Sequence, residues 1–426
     1  MRVVFFNYGT RGDVQPQVAL ASGLAERGIQ ARIAAPENLR SFVEKAGIDY
    51  APLYGSSQEI MESEAGQRWL RSGDVRAFMK EGANIAARID LEVFRNGLAA
   101  VHDADAIVGG TLAEDMAFTL AEHRRVPFAF AHTVPIETTG DYPNPIVTAR
   151  RLPFRSLNRA TYPLFRMLAR QVHEKSLAEF RYDLGLAPLK GTVVSRGAEL
   201  DVPVLQLWSK HLVPHPADAP RQATTTGFLR LPTAVRSRIG EQSPPEALVT
   251  WLAAGPPPVY IGFGSMPVPE LGEFVQDVLA IGRALNLRIA LSPGWNALDP
   301  VKHLESDRLH FIGPVNHNWL FGQCAAAVHH GGAGTTAASL EAGIPSVVCS
   351  FFADQPFWGR RIEGLGVGAH LPRAKMTRDK LQSALSGALA PKTRGRARAL
   401  GEVLRAEDGN AQAVNALVKA LVPRPS

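Results

Sequence analysis

The chain has 426 residues, which is typical of roughly two or three domains. Because 46% of the residues are hydrophobic and 20% are charged, we expect buried cores, and the composition excludes a disordered or fibrous protein. A membrane-spanning helix is not expected in the chain either. Its two cysteines, Cys324 and Cys349, are too few for a disulfide framework or a metal cage, so we expect a reducing, cytoplasmic environment. The net charge of +6 is concentrated in residues 371–426, where 11 Lys and Arg face 4 Asp and Glu without interleaved aromatics, which favours a solvated helix face and no nucleic-acid partner.

The first half of the chain predicts strands that alternate with helices. An apolar strand, Val3–Phe6, leads through a glycine-containing turn at 7–13 into a helix that ends at Gly28. Ile29–Ala35 is the next predicted strand, and such a βαβ start predicts a parallel sheet flanked by helices. Further strands are predicted at Ala106–Val108, Pro127–Ala131 and Val202–Leu207.

A second start of the same kind follows residue 255. Val259–Ile261 predicts a strand, Gly262–Ser265 a glycine-rich loop, and the apolar spacing from Leu271 to Ile281 a helix. The later predicted elements are a strand at Leu287–Leu291, a strand at Ala325–His330, a turn at Gly331–Gly334, a helix at Thr335–Ala342 and a strand at Ser346–Ser350.

The Pro- and Ala-rich stretch between the two halves has no periodicity and indicates a linker. We therefore predict an N-terminal domain at 1–213, a linker at 214–226 and a C-terminal domain at 227–426. The expected fold class is α/β, with two facing doubly wound, Rossmann-like domains. Such sheets bind ligands at the carboxyl ends of their strands, so we expect the loops there to line an interdomain cleft.

The loop from His329 to Thr336 carries two histidines and three glycines between a strand and a helix. Small residues allow backbone amides to approach a ligand, and a helix N-terminus favours anions, so this loop predicts a phosphate or diphosphate site. His330 could donate to a phosphate oxygen and Thr335 could add its hydroxyl. The alternative is a tight turn capped by a threonine.

Asp354 and Gln355 follow the strand at Ser346–Ser350. A carboxylate beside a carboxamide at the carboxyl end of a strand suits hydrogen bonds to sugar hydroxyls. The alternative is an ordinary turn before Pro356.

Three blocks resemble a known family. The stretches Val328–Trp358, Gly9–Pro16 and Gly262–Met266 resemble family 1 nucleotide-sugar glycosyltransferases with the GT-B fold, most of all the sterol 3-β-glucosyltransferases. Bacterial glucosyltransferases that act on antibiotic aglycones are similar. The resemblance implies an inverting transfer of glucose from UDP-glucose to a hydroxyl of a lipophilic aglycone such as a sterol. The alternative is a UDP- or TDP-sugar transferase that glycosylates a polyketide or peptide antibiotic.

The resemblance also implies roles for single residues. Asp13 matches the general base that removes the acceptor proton. Arg11 could orient Asp13 or touch the diphosphate, and the alternative is an ordinary surface arginine. Asp is equally a preferred residue at a helix start. The donor-binding positions are Gly12, Ser265, Val315, His330, Gly332, Gly334, Thr335, Asp354 and Gln355.

The segment Ile312–Trp319, which includes Val315, matches the part of the family that meets the nucleobase. Plant members carry a uracil-stacking tryptophan where this chain has Ile312 and a ribose-binding glutamate where it has Ala338. The nucleobase and ribose contacts of this chain therefore depart from the plant pattern.

No metal or other cofactor is expected. The triplet Asp103-Ala104-Asp105 has the form of a metal site of another glycosyltransferase fold, but it precedes a predicted strand and lies at the wrong end of the sheet. We expect the helix N-terminus, His330 and hydroxyl groups to stabilise the leaving diphosphate instead.

The acceptor side is less clear from the sequence. His132 follows a predicted strand and is a candidate acceptor-binding residue, although a lone histidine there can be structural. The basic, aromatic stretch at 141–183 predicts either a helical lid or a peripheral contact with the inner face of a membrane.

Two alternatives of other classes are a nucleotide-sugar epimerase and a non-catalytic partner that binds nucleotide sugar. The joint presence of Asp13 and the His330 loop favours catalysis over both. A dinucleotide oxidoreductase is disfavoured, because Pro267 stands where that fingerprint has its third glycine.

Overall fold

The computed structural model describes residues 1–63, 66, 75–241, 243–264, 266, 268, 270–294 and 298–421. They form two compact units, each with its own parallel sheet. The first unit contains the described residues of 1–239 and 407–421, and the second contains those of 240–406. This confirms the expected α/β class with two doubly wound domains.

The first unit is a seven-stranded sheet covered by helices. Its strands are β1 (Arg2–Phe6), β2 (Gln30–Pro36), β3 (Asp49–Leu53), β4 (Ala106–Gly110), β5 (Phe128–His132), β6 (Val204–Gln206) and β7 (Ala223–Thr225). Its helices are α1 (Arg11–Ala25), α2 (Arg40–Lys45), α3 (Ser57–Glu62), α4 (Val75–Ala100), α5 (Glu114–Arg124), α6 (Arg155–Asp183), α7 (Val193–Glu199), α8 (Thr233–Arg238) and, from the end of the chain, a helix at Gly409–Leu421.

The strands of this sheet run parallel in the order β3-β2-β1-β4-β5-β6-β7. Alternate residues of β1 enter two different cores: Val3 and Phe5 face α1, whereas Val4 and Phe6 face α4 and α5. Both faces of the strand are therefore buried, which explains its uninterrupted apolar sequence.

The second unit is a six-stranded parallel sheet in the order β10-β9-β8-β11-β12-β13. Its strands are β8 (Val259–Gly262), β9 (Ile289–Ser292), β10 (Leu309–Phe311), β11 (Ala326–His329), β12 (Ser346–Val348) and β13 (Gly368–His370). Its helices are α9 (Glu246–Ala253), α10 (Leu271–Ala284), α11 (His317–Phe321), α12 (Ala333–Glu341), α13 (Gln355–Leu365), α14 (Arg378–Leu389) and α15 (Pro391–Ala406); the helix at Gly409–Leu421 is therefore α16.

The compact units divide the chain at other residues than the predicted domains 1–213 and 227–426. Residues 227–239 and 407–421 lie in the first unit, and the predicted linker at 214–226 contains β7, which pairs with β6. The reason is the apolar face of α16, whose Val414 and Leu417 are buried in the core around α1.

None of the helices in the described ranges is both long and apolar enough to cross a membrane.

Candidate active site

In each sheet, the second and third strands of the unit are added on one side of its first strand and the later strands on the other side. The strand order therefore reverses beside this first strand, at a topological switch point. In the first unit the loops after β1 and β4 flank this switch point, and in the second unit it lies between the loops after β8 and β11. Ligands of open parallel sheets bind outside the carboxyl ends of the strands at such a point. The predicted base follows β1, and the predicted diphosphate loop follows β11, so each stands beside a switch point.

Asp13 lies in the first turn of α1, three residues after the N-cap residue Thr10. Its Oδ2 accepts hydrogen bonds from the Thr10 backbone N–H at 2.8 Å and the Thr10 hydroxyl at 3.1 Å. The Asn7 amide donates to the Asp13 carbonyl oxygen at 2.8 Å. Glycine at position 9 makes room for the Asp13 carboxylate, because a Cβ at this position would collide with the carboxylate. Capping and an active-site role are thus compatible at this residue.

Burial raises the pKa of Asp13 above the ordinary value of 3.8, and the hydrogen bonds from Thr10 oppose this effect. Desolvation makes the carboxylate a stronger proton acceptor than an exposed aspartate. The side chain is nevertheless only half-buried. It has the two properties that a general base needs, access and basicity.

Arg11 and Gly12, which precede Asp13 on α1, are exposed. The Arg11 guanidinium lies 4.6 Å from the centroid of the Phe42 ring, and its Nε donates to Gln15 at 3.3 Å. Gly12 donates its backbone N–H to the Thr10 hydroxyl at 3.3 Å. Arg11 thus packs along the helix surface, and its proposed contact with the diphosphate stays a prediction.

His132 is fully buried at the end of β5. Its Nδ1 lies 2.5 Å from Glu137 Oε1, and its Nε2 lies 3.0 Å from Glu114 Oε2. Both ring nitrogens are therefore occupied by carboxylates. The prediction that His132 itself contacts the acceptor disagrees with this geometry, because burial and two protein partners leave no ring nitrogen for a ligand.

His330 follows β11 and is enclosed by two glycines. A Cβ at Gly264 would lie 3.0 Å from the ring, and a Cβ at Gly332 would lie 2.5 Å from Nε2. Burial lowers the pKa of His330 to about 4, with a smaller contribution from His317, so the ring is neutral at physiological pH. Its Nδ1 is buried and has no hydrogen-bond partner among the described residues. A neutral imidazole with an unused nitrogen is suited to hydrogen bonding with a ligand oxygen.

The glycines of this loop meet different constraints. Gly331 has φ +93°, and a Cβ there would lie 2.6 Å from Val348, so glycine is required. Gly332 is the N-cap residue of α12. Gly334 faces open space, and Thr335 is half-buried in the first turn. The predicted donor residues after β11 thus surround a helix N-terminus.

Asp354 and Gln355 follow β12 as predicted, but the loop itself occupies part of their hydrogen-bonding capacity. Asp354 Oδ2 accepts from the Trp358 indole N–H at 2.6 Å. Gln355 is buried, and its Oε1 accepts from the backbone N–H of Phe351 at 2.8 Å. Ala353, which directly precedes Asp354, has φ +53°, a conformation that costs a non-glycine residue of the order of 1 kcal/mol. The loop is therefore held in a strained, defined shape.

The segment predicted to meet the nucleobase, Ile312–Trp319, is partly buried in the second unit. Ile312 is buried, whereas Val315 and Trp319 are half-buried and line a pocket with Pro314 and Asn316. Val315 therefore remains accessible at this pocket.

Ser265, predicted to face the diphosphate, lies outside the described residues. The remaining carboxylates of interest are structural: Asp103 pairs with Arg2 and Arg32, and Asp105 accepts from the Arg2 backbone N–H at 2.7 Å. Within the described ranges no three His, Cys, Asp or Glu side chains are arranged to hold a metal ion.

Several residues of these sites are not predicted by the sequence analysis. Thr10 could have been found from the capping-box spacing of Thr10 and Asp13. Glu114, Glu137 and Trp358 carry no local signal, because their partners are close in space but not in a recognised motif.

Comparison with solved structures defines the class of fold. The glycotransferase of kitacinnamycin matches with a TM-score of 0.73 at 19% identity, and the calicheamicin glycosyltransferase CalG4 with 0.71 at 16%, each over 99% of both chains. Glycosyltransferase VinC, solved in complex with dTDP, matches with 0.66 at 16% identity over 99% of both chains. The chain has the GT-B fold of these glycosyltransferases.

Two family models match separate parts of the chain. The glycosyltransferase family 28 N-terminal domain matches residues 3–118, and the erythromycin biosynthesis protein CIII-like C-terminal domain matches residues 296–419.

Relatives that match almost the whole of this chain identify the family. Sterol 3-beta-glucosyltransferases UGT80A2 and UGT80B1 of Arabidopsis thaliana are each 32% identical over 99% of this chain, which spans 66% and 68% of their lengths. The sterol 3-beta-glucosyltransferase of Emericella nidulans is 33% identical over 99% of this chain, which spans 30% of the length of that protein. The chain therefore belongs to the sterol 3-beta-glucosyltransferase family.

Proposed function

We propose that the chain transfers glucose from UDP-glucose to a hydroxyl of a lipophilic acceptor such as a sterol, with inversion at the anomeric carbon. The observation that carries this proposal is the desolvated Asp13 carboxylate, held by Thr10 beside the switch point of the first sheet. The names of the curated relatives support the choice of a sterol and of glucose.

In the proposed reaction, Asp13 accepts the proton of the acceptor hydroxyl while that oxygen forms a bond to the anomeric carbon of glucose. The bond between this carbon and the β-phosphate oxygen breaks, and its electron pair leaves with UDP. Attack on the face opposite the leaving group inverts the configuration. One carboxylate suffices, because no covalent sugar–enzyme intermediate forms.

The second unit would hold the donor. The N-terminus of α12 and neutral His330 favour hydrogen bonds to the diphosphate, whose charge increases as the sugar leaves. Gly332, Gly334 and Thr335 would contribute backbone N–H groups and a hydroxyl. Because these groups supply the stabilisation, we propose that no metal ion is required and expect full activity in EDTA; a strict metal requirement would contradict this.

The sugar would be recognised by the loop after β12. Asp354 and Gln355 are proposed to face its hydroxyls, with the orientation of Asp354 set by Trp358. Gln355 Oε1 is used by the loop and its Nε2 lies 3.9 Å from Met266 Sδ, so the second N–H of this Nε2 is the group proposed to reach the sugar. Val315 and its neighbours would meet the nucleobase.

A second candidate function is transfer of a UDP- or TDP-linked sugar to a polyketide or peptide antibiotic. It is favoured by the match of residues 296–419 to the erythromycin biosynthesis protein CIII-like domain. The reaction at Asp13 would be the same, and only the acceptor and the sugar would differ.

Peripheral contact with the inner face of a membrane, in a cytoplasmic protein, stays a prediction. It is supported by α6, which exposes Leu157, Leu164, Met167 and Leu168, with Phe154 just before it. Apolar and basic side chains on one helix are typical of segments that bind anionic membranes. Cosedimentation with anionic vesicles, but not with neutral ones, would support the contact.

The proposed function is tested by incubating UDP- and TDP-linked sugars with sterol, flavonoid and macrolide acceptors and reading the products by mass spectrometry. We expect one hexose on the sterol with UDP-glucose. Transfer only from TDP-sugars to the macrolide would favour the second candidate. Absence of any product would contradict both, and would leave an epimerase or a sugar-nucleotide-binding partner.

A further inference from the structure

The switch point of the first sheet is rich in hydrogen-bond acceptors. The side-chain amides of Asn7 and Gln17 lie against Gly110, the last residue of β4, where a Cβ would come within 2.5 and 2.7 Å of their nitrogens. These nitrogens donate to the carbonyl oxygens of Asp13 at 2.8 Å and Phe6 at 2.9 Å. Their own carbonyl oxygens are buried and have no partner among the described residues. Buried acceptors normally bind a donor, so this edge is suited to a donor-rich ligand or ordered water.

Glu114 places a further acceptor at the same edge. It is the first residue of α5, four positions after the end of β4, and its side chain is 19% exposed. Its Oε2 lies 3.0 Å from Nε2 of the fully buried His132. β4 is the neighbour of β1 in the sheet, so Glu114 and Asp13 follow the two strands that flank the switch point.

His132 is held as a cation between two carboxylates. Burial acts to lower the pKa of His132, but the hydrogen bonds and charges of Glu114 and Glu137 outweigh it and raise the pKa to about 9. The guanidinium of Arg166, also close to both carboxylates, contributes a second positive charge. Both ring nitrogens therefore donate at neutral pH, and the Glu114 carboxylate is fixed in one orientation.

The network continues across the ends of the next strands. Gln206 Nε2 donates to Glu137 Oε2 at 3.2 Å, and the Thr225 hydroxyl donates to Gln206 Oε1 at 2.7 Å. Glu137 and Gln206 are buried like His132. Of these acidic and amide groups Glu114 is the most exposed, so it is the member of the network that a ligand can reach.

We propose that Glu114 binds the acceptor: it accepts a hydrogen bond from a second hydroxyl or an amine of the molecule whose reacting hydroxyl meets Asp13. His132 and Glu137 are positioning residues for this carboxylate. This inference rests on the proposed glycosyl transfer and adds an acceptor class to it, namely lipophilic molecules with two polar donor groups. A site with a fixed buried acceptor discriminates against an analogue that lacks the matching donor.

The test compares cholesterol with cholesterols that carry one added hydroxyl at positions 7, 20, 22 or 25, with UDP-glucose as donor. We expect wild type to prefer one diol over cholesterol by roughly tenfold in kcat/KM, through a lower KM. Glu114→Gln and His132→Gln should each remove most of this preference. Glu199→Gln, an exposed carboxylate of α7 paired with Arg196, is the matched control and should keep the wild-type ratio.

A preference ratio that stays within twofold of wild type in Glu114→Gln would overturn the inference while leaving the proposed transfer intact. The ratio is insensitive to a general loss of folded enzyme, because both acceptors are affected equally. If Glu114→Gln fails to fold, His132→Gln gives the same test. Absence of transfer by wild type to every sterol would instead remove the proposed function, and this inference with it.

Discussion

Thr10 donates two hydrogen bonds to one oxygen of Asp13, from its backbone N–H at 2.8 Å and its hydroxyl at 3.1 Å. The same hydroxyl accepts from the Gly12 N–H at 3.3 Å and so caps α1. The bonds that start the helix are therefore also the bonds that orient the proposed base. Stability and catalysis are linked at this pair.

Substitution of Thr10 should separate the two roles. Thr10→Val removes the hydroxyl but keeps the backbone N–H, so we expect a loss of about 1 kcal/mol in the free energy of unfolding and a several-fold fall in kcat. Thr10→Ser keeps the hydroxyl and is the matched control. Urea denaturation and steady-state kinetics measure both effects. A fall in stability with unchanged kcat would mean that the hydroxyl only caps the helix.

The pH profile should report the raised pKa of Asp13. The carboxylate must be ionised to accept a proton, so kcat/KM should fall as the pH decreases through the pKa of Asp13, above the ordinary 3.8. Because the pKa is higher in the folded chain than in the unfolded chain, ionisation of Asp13 costs stability. The contribution of protonated Asp13 to stability is present below the pKa of Asp13 in the unfolded chain, and it is lost as the pH rises through the higher pKa of Asp13 in the folded chain. An acidic limb at or below pH 3.8 would contradict the desolvation of Asp13.

Trp358 should control recognition of the sugar through Asp354. Trp358→Phe removes the indole N–H that donates to Asp354 at 2.6 Å, so we expect the preference for UDP-glucose over UDP-galactose to weaken several-fold while the affinity for UDP is retained. Trp251→Phe, which changes a tryptophan stacked on His310 in the same unit, is the control for a general loss of packing. An equal loss of UDP affinity and sugar preference would argue against this role.

Packing of α16 on α1 can be tested at Gly23. A Cβ at this residue would lie 2.6 Å from Val414 Cγ2, so Gly23→Ala should destabilise the chain by roughly 1 to 3 kcal/mol. Val414→Ala provides the missing space, and the double variant should therefore lose less stability than the sum of the single variants. Thermal unfolding of wild type, both single variants and the double variant gives the coupling free energy between the two positions. Strictly additive losses would show that the two helices do not pack at this point.

The sequence predicts most of the two sheets because their strands are buried on both faces and therefore apolar throughout. β1, β4, β8 and β11 are all found within a residue or two of their predicted bounds. Short edge strands such as β7 are not predicted, since Ala223–Thr225 has neither length nor apolar character. The assignment of α16 to the first unit depends on contacts between residues about 390 positions apart, which no local pattern contains.

The residues of the candidate sites are likewise predicted only in part from the sequence. His330 and Gly332 are predicted because a loop between a strand and a helix has a fixed place at the sheet edge, whereas the role of Asp13 is predicted from the family resemblance. The contacts of His132 and Asp354 are not predicted. The carboxylates that enclose His132 come from the start of α5 and from the loop after β5, and the donor to Asp354 is one helical turn further along the chain. Distance in space, not residue type, determines these contacts.

The measurement that tests the account most directly is the turnover of Asp13→Asn with UDP-glucose and a sterol, together with the affinity for UDP-glucose. Asparagine can keep the hydrogen bonds from Thr10 but does not take up the acceptor proton. We predict that kcat falls by about 10² to 10⁴, the usual contribution of a general base, while donor affinity stays within twofold. Turnover within a few-fold of wild type would contradict the assignment of Asp13 as the base.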